Sequence, residues 1–156
     1  MKARYLIAGC LFVFSCLFCA CGLDEQEPYN HPFIRITNDN GQTVFEIDRN
    51  ADYTATYYIY LSSAPLKENL TVRYEIIVGN GLTEGLDYEV INRSRDIVFL
   101  PGIYDMPVRI HWLPNENLEE TKDNSLTIRL ISNSMNFTMG LPGPDQLQQK
   151  VIITKR

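Results

Sequence analysis

Most of the chain after residue 32 alternates apolar and polar residues with the two-residue period of a half-buried β-strand. Two long segments, 53–62 and 70–78, show it most clearly. Shorter strands are predicted around the remaining apolar positions: Ile34 and Ile36; Phe45 and Ile47; Tyr88–Ile91; Ile97–Leu100; Val108, Ile110 and Trp112; Leu126, Ile128 and Leu130; Val151 and Ile153. Eight or nine short strands, with no helical spacing beyond the first 20 residues, predict an all-β, two-sheet antiparallel sandwich.

Two turn signals stand out between these strands. Asn40-Gly41 is a strong hairpin signal because both residues tolerate positive φ, so we expect the two strands that flank it to pair. Pro101-Gly102 has proline and glycine where a type II turn needs them. The strands on either side of it, within 96–112, are predicted to form a hairpin-like unit.

A short motif precedes that unit and gives the fold a family likeness. Gly85-Leu86-Asp87-Tyr88 is followed by a short apolar strand, by Pro101-Gly102 and by an alternating strand that ends at Trp112. This order resembles the Calx-β family of immunoglobulin-like sandwiches, over roughly residues 57–154, with 126–130 as the family's next strand. The resemblance implies an immunoglobulin-like sandwich, and some members of that family bind calcium at the loops at one end.

The first 32 residues predict an export signal and a tether. Lys2 and Arg4 precede the apolar run 5–20, which is shorter than the ~20 residues that span a bilayer. Phe18-Cys19-Ala20-Cys21 resembles the cleavage site of a bacterial lipoprotein signal. We therefore predict a signal peptide at 1–20, lipidation of Cys21 within a tether at 21–32, and a β-sandwich at 33–156.

Two other cysteines and one other type of signal are alternatives to lipidation at Cys21. Cys10 follows a better cleavage motif but too short an apolar run, and cleavage before Cys16 would leave Leu17 and Phe18 on the mature end. An ordinary secretory signal is the other reading. Lipidation at Cys21 would attach the protein to the outer membrane, on a side that the sequence leaves open.

The composition of the tether and the net charge of the chain limit the classes of partner that we expect. Gly22–Pro32 carries three acidic residues, which resembles the surface-export signal of some outer-membrane lipoproteins of glycan-processing Gram-negative anaerobes; a plain polar spacer is an equal alternative. The net charge of the chain is −5, and removal of residues 1–20 makes it more negative because it removes two positive charges. A domain this acidic repels the phosphate backbone of nucleic acids, and we therefore expect no nucleic acid partner. All four cysteines lie in the first 21 residues, which excludes disulfides and cysteine metal sites from the body.

An acidic loop is the candidate metal site. Calcium takes six to eight oxygen ligands. The carboxylates of this loop that could supply them are Glu116, Glu119, Glu120 and Asp123, and Asp87 could join them. Asn124-Ser125 stands where the Calx-β family tends to have an acid, and Pro114-Asn115 opens the loop in place of its usual acids. A solvated loop is the alternative, and we expect no cofactor, with calcium binding weak or absent.

The aromatic residues offer a candidate ligand surface. Tyr58 and Tyr60 share the polar face of the strand 53–62, where exposed rings could stack against sugars; cover by a loop is the alternative. Trp112 has the parity of Val108 and Ile110 and is predicted to be in the core.

We expect no enzymatic activity. His31 lies in the tether, His111 lies beside Arg109 on the outer side of a strand, and the common catalytic motifs are missing. The predicted function is a lipid-anchored binding or adhesion module of the cell envelope, with a glycan or protein partner. The alternative is a fimbrial or assembly subunit that exchanges a β-strand, for which 151–154 would be the strand to exchange; Lys155-Arg156 is predicted to be a charged end.

Overall fold

The computed structural model describes residues 31–156, so the predicted signal, Cys21 and most of the tether lie outside the described residues. No helix long and apolar enough to span a membrane occurs in 31–156. The described part folds into ten strands: β1 (Phe33–Asn38), β2 (Val44–Ile47), β3 (Tyr53–Ser62), β4 (Leu70–Val78), β5 (Tyr88–Val90), β6 (Asp96–Phe99), β7 (Asp105–Trp112), β8 (Ser125–Asn133), β9 (Thr138–Met139) and β10 (Lys150–Lys155).

These strands form two five-stranded sheets, which confirms the all-β sandwich. Sheet A has the order β5-β7-β3-β1-β9, and sheet B has the order β2-β10-β8-β4-β6. All pairings are antiparallel except two at the sheet edges, where β9 runs parallel to β1 and β2 runs parallel to β10. The long central strands β3 and β4 begin and end where the alternation of the sequence predicts.

The predicted hairpin at Asn40-Gly41 is wrong. The turn itself forms, because Gly41 has φ of 75° and its N–H donates to the carbonyl of Asn38 at 3.0 Å. The strands on either side of it do not pair, since β1 lies between β3 and β9 in sheet A, whereas β2 pairs with β10 in sheet B. The turn therefore carries the chain from one sheet to the other.

The predicted hairpin-like unit around Pro101-Gly102 is wrong in the same way. The Ile103 N–H donates to the Leu100 carbonyl at 3.0 Å and Gly102 has φ of 88°, as a type II turn requires. However, β6 pairs with β4 in sheet B, whereas β7 pairs with β3 and β5 in sheet A. Both turns thus connect the two layers of the sandwich.

The core lies between the sheets and is built by the inward residues of each strand. Sheet A supplies Ile34, Ile36, Tyr57, Ile59, Val108, Ile110 and Trp112, and sheet B supplies Leu70, Val72, Tyr74, Leu126, Ile128, Leu130, Val151 and Ile153, all at most 1% exposed. Trp112 is fully buried, as predicted; its Nε1–H donates to the Tyr57 hydroxyl at 3.3 Å. Burial raises the pKa of Tyr57, because the ionised ring would have to leave water.

Candidate ligand-binding surface

Tyr58 and Tyr60 lie side by side on the outer face of sheet A. Their ring centroids are 5.9 Å apart and the rings are tilted by 35°, and both side chains are partly exposed. The same strand turns Tyr57 and Ile59 into the core, so the alternation of β3 places these two tyrosines outward. The structure therefore brings together the two residues that the sequence singled out.

Three polar groups lie on the Tyr60 side of the pair. The Arg35 guanidinium lies over the Tyr60 ring, 4.6 Å from its centroid, and Arg35 Nη1 donates to Gln148 Oε1 at 3.0 Å. The antiparallel registers place Arg35 and Asp105 opposite Tyr60 on the strands β1 and β7 that flank it. We call the set Tyr58, Tyr60, Arg35, Gln148 and Asp105 the tyrosine surface.

The composition of the tyrosine surface suits a ligand with both apolar and hydroxyl-rich faces. An aromatic ring offers a flat apolar area, and its hydroxyl can orient a bound group. A guanidinium donates hydrogen bonds, a carboxylate accepts them and an amide does both, so neighbouring hydroxyls could each find a partner. Arg35, Gln148 and Asp105 carry no signal in the sequence, because only the fold brings them beside the tyrosines.

The acidic loop does not gather its carboxylates. Glu116, Glu119, Glu120 and Asp123 are all exposed. Glu119 pairs with Lys122 at 2.6 Å, Glu120 pairs with Arg49, and Asp123 Oδ1 accepts the backbone N–H of Ser125 at 3.0 Å. Each of these three is thus directed to a partner of its own, and 31–156 contains no group of three or more acidic, histidine or cysteine residues arranged to hold a metal ion.

Asp87 is buried, does not join these exposed carboxylates and has a different charged partner. It is 1% exposed, and its Oδ1 lies 3.5 Å from Nζ of Lys155, which is fully buried. The predicted charged end of the chain is therefore wrong at Lys155, whose side chain points into the sandwich; Arg156 is exposed. Burial lowers the pKa of Lys155, and the Asp87 carboxylate opposes that change.

His111 lies between a hydroxyl and a carboxylate on the outer face of sheet A. Its Nδ1 lies 3.2 Å from the Thr54 hydroxyl, and its Nε2 lies 3.5 Å from Asp52 Oδ1. The Asp52 side chain is 68% exposed. The three groups follow the order of an acid–histidine–hydroxyl relay, but the acid is exposed to water, which weakens the electrostatic effects on which such relays depend.

Comparison with known proteins gives structural neighbours only. No family model matches the chain, and no curated protein matches it. The apo form of the Calx CBD1 domain superposes with a TM-score of 0.54 and 21% identity over 80% of this chain and 98% of that domain. The calcium binding domain CBD12 of CALX1.1 matches with a TM-score of 0.54 and 17% identity, over 80% of this chain and 43% of the other.

A third neighbour comes from a larger protein. EndoBT-3987 of Bacteroides thetaiotaomicron, solved with a Man5GlcNAc product, matches with a TM-score of 0.51 and 12% identity. The match covers 77% of this chain and 30% of that protein. At these identities the likeness shows the fold alone. The domain described by residues 31–156 is a Calx-β-like β-sandwich.

Proposed function

We propose that this chain is a non-enzymatic binding module of the cell envelope, and that the tyrosine surface binds its ligand, a glycan. The observation that carries the proposal is the placement of two adjacent, partly exposed tyrosines among a guanidinium, an amide and a carboxylate. Sugar rings present apolar C–H faces and a rim of hydroxyls, which match flat aromatic rings beside polar groups.

The surroundings of His111 favour a binding module over an enzyme. The acid–histidine–hydroxyl chain around His111 lies on an open sheet face beside the exposed Asp52, where water is not excluded from a reaction.

The first prediction tests the ligand. We expect a glycan array probed with residues 22–156 to identify bound glycans, and Tyr58→Ala and Tyr60→Ala each to weaken binding of the best one by about tenfold, or 1.4 kcal/mol. Because both rings are on the outer face, the melting temperature should change little. Isothermal calorimetry and differential scanning calorimetry measure the two quantities.

Tyr53→Ala is the matched control, since Tyr53 is on the same strand and is 48% exposed. By the two-residue alternation its side chain belongs to the face of the strand opposite to that of Tyr58 and Tyr60. It should leave glycan affinity unchanged. Glycan affinity that survives both tyrosine substitutions would move the site elsewhere, and a collapse of the melting temperature in both would assign the rings a structural role.

The strand-exchange alternative demands a strand that the domain can release. In the described domain β10 pairs with β8 on one side and with β2 on the other, and Val151 and Ile153 are fully buried. Release of so central a strand would expose the core. This placement favours the binding module over a subunit that exchanges its last strand.

We also propose that the module is held at the outer membrane by lipid on Cys21. This proposal depends on the sequence: a positive start, an apolar run too short to span a bilayer, and a small residue before Cys21. Each methylene of an acyl chain that is buried in the membrane contributes about 0.8 kcal/mol to membrane binding. Stable anchoring needs two or more membrane-binding elements, such as two acyl chains. The acidic segment that follows would act as the tether.

A second prediction tests the anchor. Cys21→Ala should abolish fatty-acid labelling and block signal cleavage, because acyl transfer and cleavage both use that cysteine. Metabolic labelling with a fatty-acid analogue, followed by intact mass measurement, reports both events. The matched controls Cys10→Ala, Cys16→Ala and Cys19→Ala should behave as wild type. Label that persists in Cys21→Ala would place the anchor on another cysteine.

A further inference from the structure

Three oxygen atoms converge on the Lys155 ammonium inside the sandwich. Nζ donates to the Asp87 carbonyl at 3.2 Å and to the Leu113 carbonyl, and it lies 3.5 Å from Asp87 Oδ1. An ammonium has three N–H donors, so these acceptors use all of them. Both Lys155 and Asp87 are at most 1% exposed, so the site is shielded from bulk water.

The oxygens are themselves held in place by their neighbours. Asp87 Oδ2 accepts the Thr83 N–H at 2.8 Å, and Asp87 Oδ1 accepts the Asn115 side-chain amide at 2.7 Å. The Leu113 N–H donates to the Asp87 carbonyl at 3.0 Å, which joins the segment before β5 to the segment after β7. Lys155 of β10 then ties both segments to sheet B.

Carbonyl and carboxylate oxygens are also the ligands that calcium takes in proteins. The exposed acids of the loop 116–123 do not supply such a set, since Glu119 and Glu120 pair with cations of the chain. The oxygens that do converge already hold a positive charge, and that charge balances the single carboxylate of Asp87. A metal ion at this point would have to displace the ammonium.

We propose that Lys155 is a built-in cation that holds this end of the sandwich together in the place of a bound metal ion. The fold then needs no calcium, and removal of the Lys155 side chain leaves an oxygen-lined site that accepts a small alkylammonium ion from solution. The proposal is independent of the glycan site, which lies on the outer face of sheet A.

The test combines a variant with added cations at matched ionic strength. Wild-type protein should melt at the same temperature with calcium chloride and with a chelator. Lys155→Ala should melt lower, and ethylammonium chloride should raise its melting temperature in a saturable way. Tetramethylammonium chloride should not, because it carries the charge without an N–H donor. Lys122→Ala removes an exposed lysine and should respond to none of these salts.

Three results would overturn the proposal: Lys155→Ala as stable as wild type, a destabilised Lys155→Ala that ethylammonium does not restore, or wild type stabilised by micromolar calcium. In the last case Glu119→Gln with Glu120→Gln would show whether the loop binds the metal. If Lys155→Ala folds only when a cation is present during refolding, that dependence supports the proposal. If it folds under no condition, the response of the wild type to calcium and chelator still decides.

Discussion

Trp112→Ala is expected to lower the free energy of unfolding by about 3–5 kcal/mol, the usual cost of replacing a buried tryptophan with alanine. The side chain is fully buried, packs against Tyr88 with ring centroids 6.2 Å apart and donates to the Tyr57 hydroxyl. Its loss would leave a cavity between the sheets and a buried hydroxyl without its donor. Since domains of this size are stable by about 5–15 kcal/mol, the variant would be close to unfolding.

Denaturant unfolding followed by far-ultraviolet circular dichroism measures this loss, because Trp112 is the chain's single tryptophan and the variant has no tryptophan fluorescence to follow. Tyr53 is directly opposite Trp112 in the β3–β7 register but is 48% exposed, so Tyr53→Ala is the matched control. It should cost less than about 1 kcal/mol. An equally small loss for Trp112→Ala would mean that the residue lies at the surface.

The sequence predicts the strands well because strand formation follows a local pattern. In β3 and β4 the alternation of apolar and polar residues determines where the strand ends and which side chains point inward. This pattern can be recognised from a short stretch of the chain. Tyr58 and Tyr60 were placed outward by the same period. Each of these predictions depends on neighbours in the sequence only.

Partner choice in the sheets could not be predicted in the same way. Asn40-Gly41 and Pro101-Gly102 both form the turns that their residues favour, but a turn fixes only a local reversal of the chain. Whether the next strand pairs with the previous one depends on long-range contacts, here those of β2 with β10 and of β7 with β3. The Arg35, Gln148 and Asp105 side chains of the tyrosine surface were missed for the same reason.

Lys155 is a different kind of error, since the sequence did contain the signal. Val151 and Ile153 are inward residues of β10, and the two-residue period places Lys155 on the same face. A lysine is almost never fully buried without a partner, so the sequence alone favours an exposed position for it. The partner, Asp87, is 68 residues away in the chain, so the pair was visible only in the fold.

That pair gives the second large effect. Asp87→Asn leaves the Lys155 ammonium buried without a counter-charge, and Lys155→Met leaves the Asp87 carboxylate buried without one. Each substitution is expected to lower the free energy of unfolding by about 3–5 kcal/mol. The double variant should lose much less than the sum of the two, because neither charge then remains unpaired. The exposed pair Glu119–Lys122 is the control, and its removal should cost less than about 1 kcal/mol.

The pH dependence of Asp87→Asn adds a check on the cause. Burial lowers the pKa of Lys155, so the folded state binds fewer protons than the unfolded state between the lowered pKa and the ordinary value. The contribution of Lys155 to stability therefore rises as pH increases through that window. The deficit of Asp87→Asn relative to wild type should shrink as pH rises, because a neutral amine needs no counter-charge. Denaturant unfolding of both proteins across neutral and alkaline pH measures this difference in the free energy of unfolding. A deficit that stays constant with pH would mean that Asp87 stabilises the fold through its hydrogen bonds with Thr83 and Asn115 and not through its charge.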